Sequence, residues 1–393
     1  VREGTYDVCC GNPPYQGLSK TAQFDYVVKN YPRGKADLYA AFLERGLELV
    51  REGGLSALLT MRGWMFLGQF QGVREHLLRT HDLRALVDLD SGAFDEVSAA
   101  QVVLSVACSI FRRANPDNIA LALRPTPTSD RASAGMTNRK RVGLLAQVGR
   151  YEFNPEGFEV IDGEPIVYWW SGEFLKRYAA APKLGDVSPA KFGLNTGNNI
   201  RFTRMGWELG DEQAVDHCAT FGHPNSKRRW ADFINGANGA AWIDASDQRI
   251  RWEAAGLEVK TLAESLYGSY SRQIRNEALY FRPGIAFTMV GNTFYARVHR
   301  HSSVIGDMGS SVFPTDRAVG IAAMNRSDAR GVVASLNPGI RFQIGDVNRL
   351  PIFPVANADE IFASVERAFT AHEAHREPSV EFKSPGASPW RYA

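Results

Sequence analysis

The sequence predicts an α/β protein: the second half of a doubly wound sheet, then a mixed α+β, β-rich region and a C-terminal helix. Three observations lead there. Over residues 1–113 short apolar runs alternate with stripes of helical period. From Arg112 to Thr137 that rhythm breaks among Pro116, Pro125, Pro127 and a Ser/Thr/Asp-rich stretch. Beyond it come short irregular segments rich in Gly, Asn, Trp and Tyr, until a helical stripe returns near the end.

In order, Tyr6 to Cys10 reads as a short apolar strand of the buried type, whose outer edge lies open to solvent without a further neighbouring strand. Ala36 to Glu52 reads as an amphipathic helix with Leu38, Phe42, Leu49 and Val50 toward one side, stopped by Gly53-Gly54. Leu55 to Met61 is the next strand, Phe66 to Arg79 a second helix, and Leu83 to Asp90 and Gln101 to Phe111 two further strands. Asn357 followed by Glu360 has the form of a capping box, and Ile361, Phe362, Val365 and Phe369 carry a helix through about Glu373. The expected organisation is a sheet domain over 1–113, a linker over 114–140, a recognition region over 141–355 and a helix with tail over 356–393.

Composition narrows the class. A chain of 393 residues with 44% hydrophobic and 22% charged residues can bury a sizeable core. The longest strongly apolar run, Val102 to Phe111, is too short to span a bilayer, and no signal-peptide pattern opens the chain, so the default expectation is a cytoplasmic protein without membrane contact. Cys9, Cys10, Cys108 and Cys218 form no C-x-x-C pair and read as reduced core thiols. With a net charge of +2, affinity for phosphates has to come from local clusters: Arg139-Lys140-Arg141, Lys227-Arg228-Arg229 and Arg297 to His301.

The stretch with the most chemistry is "DVCCGNPPYQG", Asp7 to Gly17. Two prolines after a strand fix the backbone of a tight loop and remove two N–H donors, which leaves carbonyls that only accept. Asn12 adds a side-chain acceptor, so Asn12 Oδ1 and the Pro13 carbonyl together suit both hydrogens of one exocyclic amino group, while Tyr15 offers a flat face for stacking. Asn-Pro-Pro-Tyr arises by chance in roughly one chain in a thousand of this length. A structural turn is the bland alternative; the strand directly before it favours the functional one.

The motif resembles the catalytic motif of the amino-group S-adenosylmethionine methyltransferases. The following "DLYAAFLERGLELVREGGLSALLTMRGW" is similar to the strand-helix-strand of their adenine-N6 branch. Protein-glutamine and some RNA-guanine enzymes share the motif; the protein-modifying ones are compact and carry no large region after the sheet, whereas here more than half the chain follows it. Here "NTGNNIRFTRMGWEL", "FGHPNSKRRWADFINGANGAAWID", "ALYFRPGIAFTMVGNTFYARVHRHSSVIGDMGSSVF" and "SLNPGIRFQIGDVNRLPIF" also resemble the adenine-specific DNA methyltransferase of BREX phage-defence systems. The likeness covers most of residues 6 to 355.

That resemblance implies several things. The cofactor is S-adenosylmethionine. The target is an adenine extruded from double-stranded DNA, with Asn12, Pro13, Pro14 and Tyr15 as the catalytic loop. Tyr15 stacks on the base, and Phe94, in "GAFDEVSAAQVVLSV", occupies the place of a second aromatic wall, although by itself it reads equally well as core. Residues 141 to 355 choose the site, with Lys227, Arg228, Arg229, Arg297 and Arg300 positioning phosphates; other phage-defence proteins are the further partners implied. Such enzymes carry a glycine-rich turn and a ribose-holding acid before the catalytic strand. Only eleven residues precede Asn12 and the first is Val, so the expectation is the C-terminal part of a longer methyltransferase with its cofactor-binding residues upstream.

Other constellations are weaker. Glu258-Val259-Lys260 and Glu381-Phe382-Lys383 have a form used by some nucleases but lack a Pro-Asp partner. His217-Cys218 with His223, and His372 with His375, complete no four-ligand metal set. Trp169-Trp170 reads as core. Two other readings remain beside the enzyme: a methylation-incompetent module that binds DNA or a partner, and the modification part of a restriction-modification protein.

Overall fold

The structure, a computed structural model, describes residues 2–94, 105–117, 119–126, 135–209, 229–236, 241–337, 339, 341–379 and 381–386. The chain forms two compact units, Val1–Ala180 and Ala181–Ala393. Both mix sheet and helix. Among the described residues no helix is long and apolar enough to cross a membrane.

The first unit runs β1 (Tyr6–Gly11), α1 (Phe24–Asn30), α2 (Leu38–Leu49), β2 (Val50–Met61), α3 (Gln71–Thr80), β3 (Asp82–Asp90), β4 (Val106–Arg112), β5 (Ala120–Leu123), α4 (Met136–Leu145), β6 (Arg150–Phe153) and α5 (Gly172–Ala180). Its six strands lie in the order β1-β2-β4-β3-β5-β6. β1 pairs parallel with β2, and β5 with β3, while β4 lies antiparallel between β2 and β3. The carboxyl ends of β1, β2, β3 and β5 therefore share one edge of the sheet. Beneath it Leu58, Trp64, Phe66, Leu86 and Phe111 are buried, each contributing about 1.5–3 kcal/mol relative to exposure. Arg74 on α3, itself buried, clamps the chain near Gly163 by donating to the carbonyls of Trp64, Gly163 and Glu164.

Several expectations change here. β1 has the open edge expected of it, with Tyr6 and Val8 exposed; but Cys10 is exposed and Cys9 half-buried, so these thiols are free and not core. Cys218 and the segment 95–104 lie outside the described residues. On α2 the buried face is Tyr39, Ala40, Ala41, Leu43 and Leu47, which turns Phe42 outward. The predicted boundary after residue 113 also moves. β5 and β6 extend the first sheet, so the first unit continues to Ala180. Ala120–Leu123 is too short and alanine-rich to announce itself between prolines; pairing with β3 makes it a strand. Lys140 is buried, its Nζ donating to Thr126 Oγ1, while Arg139 and Arg141 are exposed.

The second unit comprises α6 (Leu184–Val187), α7 (Asn199–Phe202), β7 (Thr203–Met205), β8 (Trp230–Ile234), β9 (Trp242–Ile243), β10 (Gln248–Arg251), α8 (Glu253–Tyr267), β11 (Ile285–Phe287), β12 (Ala296–Val298), β13 (Ser303–Ile305), β14 (Ser311–Val312), α9 (Arg317–Asn325), α10 (Ser327–Leu336), α11 (Ile344–Asn348) and α12 (Ala358–Glu373). Two four-stranded sheets, β13-β8-β10-β7 and β14-β11-β12-β9, supply its frame. Phe202, Phe233, Ile250, Trp252 and Val304 form one core. The start of α8 is left-handed at Ala254, Ala255 and Gly256. A Cβ on Gly256 would meet the Trp252 ring at 2.7 Å, so that turn takes glycine on two counts.

The C-terminal helix forms where the stripe predicted it, but not through the predicted cap. Asn357 is left-handed with a φ of 57° and its side chain caps nothing. Nor do the described residues after 355 stand apart: α12 packs on α9 and β9, and Glu381 pairs with Arg300.

Candidate active site

β1 ends at Gly11, and the loop Asn12 to Gly17 leaves from the carboxyl edge of the sheet, where open α/β sheets place their ligands. Pro13 is buried and anchors the loop, whereas Asn12 is exposed and Tyr15 half-buried. The Tyr15 hydroxyl donates to Asn12 Oδ1 at 2.7 Å and lies 3.3 Å from the Leu59 carbonyl of β2. The Tyr15 ring meets the buried Tyr39 edge-on, with centroids 6.1 Å apart. Burial is the main cause that raises the Tyr15 pKa, so the phenol stays protonated and donating at neutral pH.

A residue the sequence reading missed ties this loop down. Asp37 caps α2 by accepting from Tyr39 N, and the same oxygen accepts from Gln16 N at 3.0 Å. Leu38 N donates back to the Gln16 carbonyl. One carboxylate thus joins the loop to the helix. Its pKa is raised by burial, which the backbone donors oppose. The signal was present as an aspartate directly before the helical stripe.

A second missed feature lies along the same edge. Arg62, just after β2, donates to Asp88 Oδ2 at 2.7 Å and reaches Asp90 at 3.3 Å. Tyr168 donates to the same Asp88 oxygen at 2.8 Å, and Arg124, just after β5, stands over the Trp169 ring. This buried network fixes the ends of β2, β3 and β5 relative to one another. Trp169 and Trp170 are half-buried rather than core, and with Tyr151, Phe153, Phe158 and Tyr168 they line a groove of about 680 Å³. Phe94 is half-buried beyond the end of β3; among the described residues no ring contact joins it to Tyr15.

With that geometry in place, known proteins can be compared. Residues 1–94 match the Eco57I restriction-modification methylase family. The adenine-specific methyltransferase PglX of Lacticaseibacillus casei (strain Zhang) is 26% identical over 361 residues, covering 88% of this chain and 29% of the relative. The adenine-specific methyltransferase BrxX of Escherichia coli O9:H4 (strain HS) is 26% identical over 387 residues, covering 96% and 30%. The chain is similar to these adenine-specific methyltransferases over most of its own length. The resemblance to the BREX type read from its motifs therefore holds, and the chain spans about three-tenths of the length of these curated relatives.

Among solved structures, the Type IIL restriction-modification enzyme MmeI in complex with DNA aligns with a TM-score of 0.56 at 11% identity, over 95% of this chain and 50% of that one. A nuclease-deletion mutant of the Type ISP enzyme LlaGI with a DNA substrate mimic aligns at 0.50 and 10% identity, over 93% and 35%. At these identities the likeness concerns fold alone. It is a methyltransferase-like mixture of sheets and helices.

The predicted phosphate contacts fare unevenly. Arg297 is buried, pairs with Asp244 at 2.6 Å and donates to the Gly236 carbonyl, so it braces the second unit and offers no charge to solvent. Arg300 is held by Glu381 and stands over the Phe369 ring. His299 and His301 of the same cluster are buried as well. Only Arg229 of the other predicted cluster is described; it is half-exposed beside Glu253. Lys227, Arg228, His217 and His223 lie outside the described residues. Glu258 and Lys260 are bound in ion pairs with Arg201, Arg251 and Glu277. Among the described residues no group of three or more His, Cys, Asp or Glu is placed to hold a metal.

Proposed function

We propose that this chain carries the base-binding part of an S-adenosylmethionine-dependent enzyme that methylates the N6 amine of adenine in double-stranded DNA, marking host DNA in phage defence. One observation carries the reading: a rigid, acceptor-rich loop at the carboxyl edge of a sheet, with the Asn12 oxygen held by the Tyr15 hydroxyl.

An amide oxygen has two lone pairs. Tyr15 takes one and fixes the orientation of the group, which leaves the other for a hydrogen of the amine. The Pro13 carbonyl takes the second amine hydrogen. Both bonds raise electron density on the nitrogen, and the Tyr15 ring stacks on the base. Bound S-adenosylmethionine would supply an electrophilic methyl group, its S–CH3 bond breaking as the N–CH3 bond forms and the neutral thioether S-adenosylhomocysteine leaving. The amine sheds its proton after attack, once it has become acidic, so the loop works by position and electrostatics and needs no strong base. Phe94 is proposed as the opposite aromatic wall, and Arg229, with Lys227 and Arg228, as phosphate contacts. The names of the relatives support the chemistry, and the DNA in the aligned structures supports the substrate.

The test is transfer of a labelled methyl group from S-adenosylmethionine to duplex DNA, by this chain alone and by a polypeptide of the relatives' length that contains it. Label recovered as N6-methyladenine from either supports the proposal. Label recovered only in protein or RNA, or none from either preparation, sinks it.

A further inference from the structure

We infer that an arginine face on the second unit is the bed for the DNA backbone, with Ile200 as the side chain that enters the groove; this rests on the DNA-directed reading above. Three stretches of chain build the face. Arg201 on α7 donates Nε and Nη2 to Glu258 Oε1 at 3.0 and 2.6 Å. Arg251, ending β10, reaches the other Glu258 oxygen at 2.7 Å and Glu253 at 3.7 Å. Arg229, just before β8, reaches Glu253 at 3.3 Å. Arg204 on β7 donates to the carbonyls of Ile200 and Thr203 and lies over the Trp230 ring. Three of these guanidinium groups share the Glu253 and Glu258 carboxylates and the fourth, Arg204, is held by carbonyls, so four cations meet on this face against those two carboxylates.

The platform beneath is firm. Trp252 is buried and its backbone N–H donates to the Arg229 carbonyl, and Arg251 pairs in register with Trp230 across β10 and β8. The side chains above it are accessible: Arg201 and Arg229 are 50% and 49% exposed. Exposed ion pairs contribute little and weaken with salt, so an arginine can exchange its carboxylate for a phosphate oxygen while Glu253 and Glu258 hold it in place beforehand. Bidentate guanidinium geometry suits that exchange.

Ile200 stands among these cations. At 89% exposure it is the most exposed large hydrophobic side chain among the described residues. A lone surface isoleucine is ordinary. This one precedes Arg201 in a short turn whose carbonyl Arg204 holds, which is where an apolar side chain would meet a thymine methyl or wedge at a base step once the phosphates were seated.

The experiment measures binding of the purified chain to a fluorescent duplex of mixed sequence across a salt series, and selection from a pool of random duplexes. Arg201→Gln with Arg229→Gln should lower affinity about tenfold or more at low salt and reduce the salt slope by about one per arginine. Arg201→Lys with Arg229→Lys should keep the slope, and circular dichroism should show both pairs folded. Ile200→Ala should keep the slope and change the enriched sequence. If the unsubstituted chain binds and the glutamine pair binds equally well with the same slope, the face is wrong although the DNA reading stands. An unchanged selection with Ile200→Ala overturns the role of that side chain. A chain that binds no duplex at any salt overturns both the face and the DNA reading.

Discussion

Asn12 and Tyr15 are joined by one hydrogen bond, and in the proposed function they act as one unit: the amide oxygen receives the amine and the phenol decides how that oxygen points. Asn12→Ala should reduce methyl transfer by about 10²–10³-fold, the cost of removing one preorganised group from a polar site, and leave duplex affinity within a few-fold because it touches no phosphate. Tyr15→Phe keeps the stacking face and loses the hydrogen bond at 2.7 Å, so it should retain more activity than Tyr15→Ala, which also forfeits about 1–3 kcal/mol of stacking. Methyl transfer and duplex binding measured side by side check the order. Equal losses in the two Tyr15 variants would mean that the ring does not stack. At this scale the place of the loop, directly after a strand, was legible because its four residues are contiguous and follow a short apolar run. Arg297 and Arg300 were not, since their carboxylates lie 53 and 81 residues away, and a run of basic residues does not reveal which of its charges the fold has already paired.

Between residue and sheet stands α2, whose N-cap is Asp37. Asp37→Ala removes the cap and the tie to Gln16 together. Stability should fall by about 0.5–2 kcal/mol in denaturant unfolding, and methyl transfer should fall further than that loss explains because the loop is released. Burial already disfavours the charged carboxyl here, so Asp37→Asn, neutral and still accepting, should recover most of both. An Asp37→Ala variant with full transfer would show that the loop holds itself. The helix was foreseen from its stripe, yet periodicity did not tell which flank of the stripe faced inward, and Phe42 turned out. β5 and β6, four residues each, had no pattern of their own and exist through their partners. Short strands at a sheet margin are set by tertiary pairing, not by propensity.

Across the whole molecule the same imbalance appears as a pH response. His81 in the first unit and His299 in the second each have a pKa lowered from 6.5 to about 4, first of all by burial. The His299 ring is enclosed, with Nε2 2.9 Å from Ser311 Oγ and Nδ1 3.3 Å from the Arg282 carbonyl. Both rings are neutral in the folded state where the unfolded chain would already be protonated. As pH falls below 6.5 the unfolded state takes up protons first, so stability is lost progressively and the loss levels off below about 4. For His299 the full swing is on the order of 3 kcal/mol; His81 is more exposed and contributes less. Glu381 acts in the same direction at lower pH: the Arg300 hydrogen bond holds its pKa down, so its contribution disappears as pH drops through that lowered value. Thermal unfolding followed from neutral pH to the acid end of this window should show a melting temperature that decreases steadily. His81→Gln should flatten the part of the curve belonging to the first unit and leave the rest. A melting temperature that holds or rises on acidification would mean that these rings are hydrated and protonate freely in the folded chain.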